Sequence, residues 1–413
     1  MAVRHLTLLL LVGLFPFAAR ADASQSIEKI VTGSPDVFPI SFWCGPPRKF
    51  VSVERYQQVK DAGFTFIMPD GVGGNEPELQ RKILDTAQQV GLKAFIDDQR
   101  MPRAIKGNEE NAKKAIDAIV ADYSAHPALA GYYVSDEPGV AGFAGLSEVF
   151  AYLKERDPNH PAYTNLMPNW ARPEHTGLPT YEEYVERFMT TVKPPILSYD
   201  HYSFFKKSDR AGWFANLELM RSHALRANVP FWQIVQATSH GDYRRVTEAE
   251  KRWEAMHTLA YGGKAVLFFT YWKPDSDPIW DEAIIDLDGT PTRQYEEIKR
   301  VNRDVQAIGK HLLRATLIGV MQQGRPGDQT NTLEDLPVAF DGPNITCGYF
   351  KDGDAQLLLF VNRDYRNAVE TSTSINTNGK PLTKLDRESG KWTKVEGPVR
   401  LKLPAGDAEL YRW

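Results

Sequence analysis

Leu129-Ala-Gly-Tyr-Tyr-Val-Ser-Asp136-Glu137-Pro138 decides how the rest of the chain is read. Residues 129–134 form a short apolar and aromatic run, opened by Ala130-Gly131. That is the pattern of a strand buried on both faces of a parallel sheet. Two adjacent acids follow where the strand ends. A strand leaving a packed sheet into Asp136-Glu137-Pro138 holds carboxyls at its rim, half out of water, where their pKa values rise. The other reading is a helix N-cap, because Asp before Glu-Pro favours a helix start and 139–143 precede a helical pattern. A cap needs no aromatic strand in front of it, so the functional reading leads.

Working outward, one unit recurs. Apolar runs that predict strands occupy 38–43, 64–68, 93–96, 129–134, 162–166, 196–199, 230–235 and 265–271, with starts 26 to 36 residues apart. Between them, helical patterns cover 53–63, 78–91, 109–124, 146–156, 181–192, 212–227, 248–261 and 291–313. Several open on Pro, Ser or Thr and close on Gly or Pro, as helices do. Eight strand–helix repeats are the sequence form of a (β/α)8 barrel. The competitor is a doubly wound open sheet, which usually needs fewer units, and no Gly-x-Gly-x-x-Gly follows the first strand.

The ends of the chain read differently. Residues 1–23 combine a charged start (Arg4, His5), an apolar core over 6–17 and small residues near Ala21 and Ala23. This is the pattern of a secretory signal peptide, so a secreted or periplasmic protein is expected. No later apolar run approaches the roughly 18 residues of a membrane span. Past residue 313 the texture shifts to short runs at 356–361, 369–375, 392–395 and 399–403, separated by Asp-Gly, Asn-Gly and Ser-Gly turns. The expected domains are therefore a barrel over 24–313 and a small all-β sandwich over 314–413. A net charge of −4 gives no electrostatic footprint for nucleic acid. Cys44 and Cys347, the two cysteines, are expected as free or buried thiols rather than a disulfide framework.

In a barrel of this kind the working groups follow the strands. The candidates are Trp43 after the first strand, Asp97, Asp98 and Arg100 after the third, and Asp136 and Glu137 after the fourth. Asn165 follows the fifth, Asp200, His201 and Tyr202 the sixth, Gln236 the seventh and Trp272 the eighth. Aromatic faces stack on sugar C–H groups while carboxylates and amides hold hydroxyls, so this rim predicts an oligo- or polysaccharide substrate. His201 and His240 stand in separate loops, which argues against zinc. An oxygen-ligand site from Asp70, Asp97 and Asp98 stays open as the metal alternative. No Gly-x-Ser-x-Gly is present and Cys44 lacks an identifiable base, so carboxylate chemistry remains, with no cofactor expected.

Val134-Ser-Asp136-Glu137-Pro138 resembles the Asn-Glu-Pro signature after the fourth strand of clan A glycoside hydrolases, the group holding families 5 and 42. Tyr199-Asp-His201-Tyr202 is similar to the His-Tyr element after their sixth strand. The resemblance covers roughly 36–313. It implies that Glu137 is the general acid/base, that Asp136 contacts a sugar hydroxyl and that Tyr202 supports the nucleophile. The chain departs from the family at the seventh strand, where Phe231-Trp-Gln-Ile-Val-Gln236 carries glutamines in place of the nucleophilic Glu. Three readings follow: Asp200 as the second carboxylate, nucleophile or base; substrate-assisted hydrolysis by Asp136-Glu137 on a 2-acetamido sugar; or a barrel that binds carbohydrate without turnover. The neighbours of Asp200, namely Tyr199, His201 and Tyr202, are expected to support its ionised form.

Overall fold

The apolar runs pack as a ring of parallel strands: β1 (Ile40–Trp43), β2 (Phe66–Ile67), β3 (Lys93–Ile96), β4 (Leu129–Asp136), β5 (Ala162–Leu166), β6 (Leu197–Asp200), β7 (Phe231–Gln236) and β8 (Ala265–Phe269). The computed structural model describes residues 26–68, 76–275, 279–323, 336–340 and 344–413. The expected leader and the Asp70 loop lie outside these residues. Ladder pairing runs β1-β8-β7-β6-β5-β4-β3-β2. At the seam, Thr65 N donates to Ile40 O (2.8 Å), Ile40 N to Thr65 Oγ1 (2.8 Å) and Ser41 Oγ to Phe66 O (2.7 Å). Hydroxyl side chains thus stand in for ladder bonds where the ring nearly closes.

Around the ring lie α1 (Ile27–Thr32), α2 (Val53–Asp61), α3 (Pro77–Val90), α4 (Glu109–Tyr123), α5 (Phe143–Arg156), α6 (Pro173–Thr176), α7 (Tyr181–Thr191), α8 (Trp213–Ala227), α9 (Glu248–Ala260) and α10 (Arg293–Leu312). Their ends follow local chemistry. Thr180 with Glu183, and Thr247 with Glu250, close capping boxes at α7 and α9, and Gly91 ends α3 in the left-handed region. Phe66, Phe95, Tyr163, Trp232 and Leu267 fill the barrel interior, and Val31 of α1 joins that cluster. Gly131 is required by this crowding, since a Cβ there would meet the Phe95 ring and Pro161 O at 2.5 Å.

The C-terminal strands are β9 (Thr316–Gln323), β10 (Val338–Phe340), β11 (Ile345–Asp352), β12 (Ala355–Asn362), β13 (Val369–Ile375), β14 (Thr383–Leu385), β15 (Trp392–Lys394), β16 (Val399–Leu403) and β17 (Ala408–Arg412). They form a three-stranded sheet, β10-β13-β16, and a six-stranded sheet, β15-β14-β17-β12-β11-β9. Leu358 and Phe360 of β12 face the smaller sheet's Phe340 and Leu401, whereas Leu357, Leu359 and Val361 join the barrel's own core. Burial on both faces explains why β12 is a continuous apolar run. Trp253 Nε1 donates to Arg363 O (2.9 Å) and Thr346 Oγ1 to His257 Nε2 (3.1 Å), tying α9 to this domain. Cys44 and Cys347 form no disulfide with each other.

Candidate active site

The rim of the barrel opens on a pocket of about 310 Å³ lined by Trp43, Asp136, Glu137, Asn165, Asp200, Tyr202 and aromatic neighbours. Its acid wall begins with an irregularity. Pairing of β4 with β5 runs Tyr133↔Tyr163 and then Asp136↔Asn165, so three residues of β4 span two of β5. The extra residue reverses the alternation and puts Asp136, not Ser135, beside inward Asn165. Arg103 donates to the Val134 carbonyl at the bulge (2.8 Å), and Thr164 Oγ1 to Ser135 O (2.6 Å). Glu137 then takes a left-handed backbone (φ 42°), held by its N–H to Asn165 O (2.8 Å) and by Tyr184 OH to Pro138 O (2.8 Å). A non-glycine residue forced there marks a place where the surroundings fix side-chain direction.

On β6 the alternation is regular. Ile196, Ser198 and Asp200 point inward, while Leu197 and Tyr199 pack outward against the helices. Tyr163 OH meets Ser198 Oγ (2.8 Å), Ser198 Oγ donates to Asn165 Oδ1 (3.3 Å), and Asn165 Nδ2 donates to Asp200 Oδ1 (3.1 Å). This relay fixes the Asn165 amide with its donor toward the acids, where it also favours the ionised form of Asp136.

The Glu137 and Asp200 carboxyls line the same pocket within hydrogen-bonding reach of each other. Such a bond exists only when one of the two carries a proton. Burial, then the charge and hydrogen bond of Glu137, then the charge of Asp136, hold Asp200 well above the usual carboxylate range. Burial and the charge of Glu137 lift Asp136 to about 7, although part of its side chain meets the open pocket. The proton belongs to the cluster rather than to one residue.

Opposite the acids stands an aromatic wall. Tyr202 stacks on Phe269 (5.1 Å between centroids), and His240 stacks on Trp280 (4.7 Å) and leans on Tyr243 (4.6 Å). Trp170, 39% exposed, offers its ring at the mouth. From β7 the pocket receives Ile234, and no carboxylate.

Several expected rim residues lie elsewhere. Asp98 is buried in an ion pair with Arg100 (2.7 Å) and accepts from Tyr123 OH (2.7 Å), while Arg100 also reaches Asp122 (2.8 Å). Both are spent inside the fold. Asp97 does not line the pocket, though its charge acts on Tyr133. His201 is fully buried, its Nδ1–H donating to Asn216 Oδ1 (3.0 Å), and burial pushes it down to about 4. It is neutral and faces away, so it supplies no cation to Asp200, and Tyr199 gives it no hydrogen bond. Gln236 Nε2 donates to Phe204 O (3.3 Å) and Arg244 O (2.8 Å), joining two loops from behind. Trp272 packs on Phe50 and lines a separate hollow of about 330 Å³ with Cys44, Lys49 and Lys273. Among the described residues, no group of three His, Cys, Asp or Glu side chains has metal-binding geometry. Arg103, Tyr243 and Trp280 were not among the expected rim residues, because loop geometry rather than a motif places them, whereas Trp170 ends the stretch expected after the fifth strand.

Residues 144–308 match a family model described as beta-galactosidase, glycoside hydrolase family 42. The match begins just past Glu137 and includes Asp200. No curated protein matches the chain in sequence. Among solved structures, a family 5 glycoside hydrolase from Bacteroides vulgatus shares 11% identity at a TM-score of 0.56, over 91% of this chain and 89% of the other. A beta-galactosidase from the psychrophilic Marinomonas ef1 shares 11% at a TM-score of 0.51, over 67% of this chain. The chain spans 62% of that enzyme's length. The chain is thus a barrel similar to the clan A glycoside hydrolases.

Proposed function

We propose that this protein is a glycoside hydrolase in which Glu137 donates the proton to the leaving oxygen and Asp200 attacks the anomeric carbon. The observation that carries this reading is the direct Glu137–Asp200 contact on a pocket with an aromatic face. Retaining enzymes hold their two carboxyls about 5–5.5 Å apart, whereas inverting ones leave about 6.5–9.5 Å for a water. Carboxyls within hydrogen-bonding reach are nearer to the shorter separation than to the longer, which favours a double displacement. The pair carries one proton between an acid and an anion, and that proton must reside on Glu137 for Asp200 to attack. Asn165 holds Asp200 Oδ1, leaving the other oxygen for the sugar.

Cleavage would form a glycosyl ester on Asp200 and release the protonated leaving group. Glu137, now a carboxylate, would take a proton from the water that hydrolyses the ester. Asp136 favours a second reading, because it enters the pocket beside Glu137 and could orient a 2-acetamido group. Glu137→Gln should lower turnover of natural glycosides by about 10²–10⁴-fold and that of activated aryl glycosides far less. Equal loss on both classes would assign Glu137 a binding role. The apolar run over 6–17 supports export, which N-terminal sequencing near Asp22 or Ser24 of exported protein would bear out and an intact Met1 would contradict.

A further inference from the structure

Beside the acid pocket, past Trp170 and Tyr243, lies a second hollow of about 390 Å³ lined by Phe205, Lys206, Lys207, Ser208, Arg210 and Asp242. Arg210 stands at the junction. Its guanidinium lies 4.1 Å from the Trp170 ring centre and 4.4 Å from that of Phe205. The loop that carries it is tied down by Arg210 N to Ser203 O (2.7 Å) and by the Phe205–Tyr243 bridge. Trp170 is placed in turn by Asn169, whose Nδ2 donates to Gly212 O (3.0 Å).

The charges around Arg210 are uneven. Asp209, its neighbour in sequence, is engaged by Arg244, Arg366 and Tyr365. Lys206 Nζ donates to Gly241 O (2.6 Å) and so lies along the same wall. Among the described residues Arg210 makes no ion pair, and its Nε is buried without a hydrogen-bond partner. Stacking between two rings and a hydrogen bond with Tyr243 account for the position of the guanidinium but not for the buried Nε–H left without a partner, which costs free energy. A planar fork held on aromatic faces, in a lining where Arg210, Lys206 and Lys207 outnumber Asp242, fits a carboxylate or a sulfate ester.

We propose that this hollow is a subsite for an anionic sugar residue next to the one bound by the acid pocket, so that the substrate is an acidic oligosaccharide. This deepens the hydrolase reading and rests on it for the identity of the neighbouring ring. Uronate and sulfate share the chemistry that Arg210 would recognise, and the probes separate them.

Titration calorimetry on full-length Glu137→Gln protein would use uronate-containing, sulfated galactan and neutral oligosaccharides of matched length. One of the two anionic sets should bind about tenfold tighter or more than the neutral set, with a preference that shrinks as salt rises. Arg210→Met, which keeps an apolar stem against Trp170, should cost that set about 10- to 100-fold, and Arg210→Lys should recover part of it. Equal binding of anionic and neutral sugars by the protein with Arg210 intact would overturn the subsite without any Arg210 variant. So would binding to none of the probes, or a preference that survives Arg210→Met. Anionic preference in a protein that hydrolyses nothing would remove only the hydrolase reading. Hydrolysis of neutral glycans with no anionic preference would remove only the subsite.

Discussion

Two groups of acids occupy the same rim and end in opposite states. After β3, burial pushes Asp98 upward, but the hydrogen bonds and charge of Arg100 and the hydroxyl of Tyr123 outweigh it, and its carboxyl sits below the usual range. After β4 and β6, pocket-facing Asp136 and buried Asp200 each stand beside another acid, and both are raised. The barrel lends each group the same strand-end position. What differs is the partner, and the partner decides whether a carboxylate stays ionised in an ion pair or shares a proton with a neighbouring acid.

That contrast can be broken at either end. The largest effect is expected at Asp200. Asp200→Ala should reduce turnover on the order of 10⁴-fold, as loss of a nucleophile does, with little change in stability. Azide should then restore part of the activity by occupying the vacated space as an anion. Near-normal turnover of 2-acetamido glycosides by the same variant would transfer the reaction to Asp136-Glu137.

Asp98 should behave the other way round. Asp98→Asn should destabilise the protein by about 1–3 kcal/mol in denaturant unfolding, because Arg100 keeps Asp122 but loses a charged partner. The loss should depend on pH. A carboxyl whose folded value is depressed contributes stability above its unfolded value near 3.9, and that contribution fades as pH falls through the folded value. The gap between variant and wild type should therefore close below about pH 4. A constant gap down to low pH would mean that packing, not the ion pair, sets the cost.

Most of the barrel was legible because its chemistry is local. Each of the eight strands begins within two residues of its apolar run, since strands buried on both faces carry little else. β9 and β11 were missed for the opposite reason, the three-residue β10 and β14 for their shortness. Ile318 of β9 is exposed, and Gly348 interrupts β11 where a Cβ would run into Ala260 O, so neither is a clean run. Of the site, Asp136, Glu137, Asn165, Asp200, Tyr202 and Trp43 were readable as strand-end residues and do meet in one pocket. Sequence position could not reveal that Arg100 folds back on Asp98 two residues away. Nor could it show that His201, one residue past inward Asp200, turns behind the barrel. The β4 bulge that aims Asp136 depends on pairing with β5, which only the assembled sheet defines.

The central proposal is that Glu137 and Asp200 act as proton donor and nucleophile facing each other in one pocket. Proton NMR of the first-formed sugar, recorded before mutarotation, tests it most directly. The account predicts that the released hemiacetal keeps the anomeric configuration of the substrate. Inversion would contradict it, because that outcome requires a water between the two carboxyls.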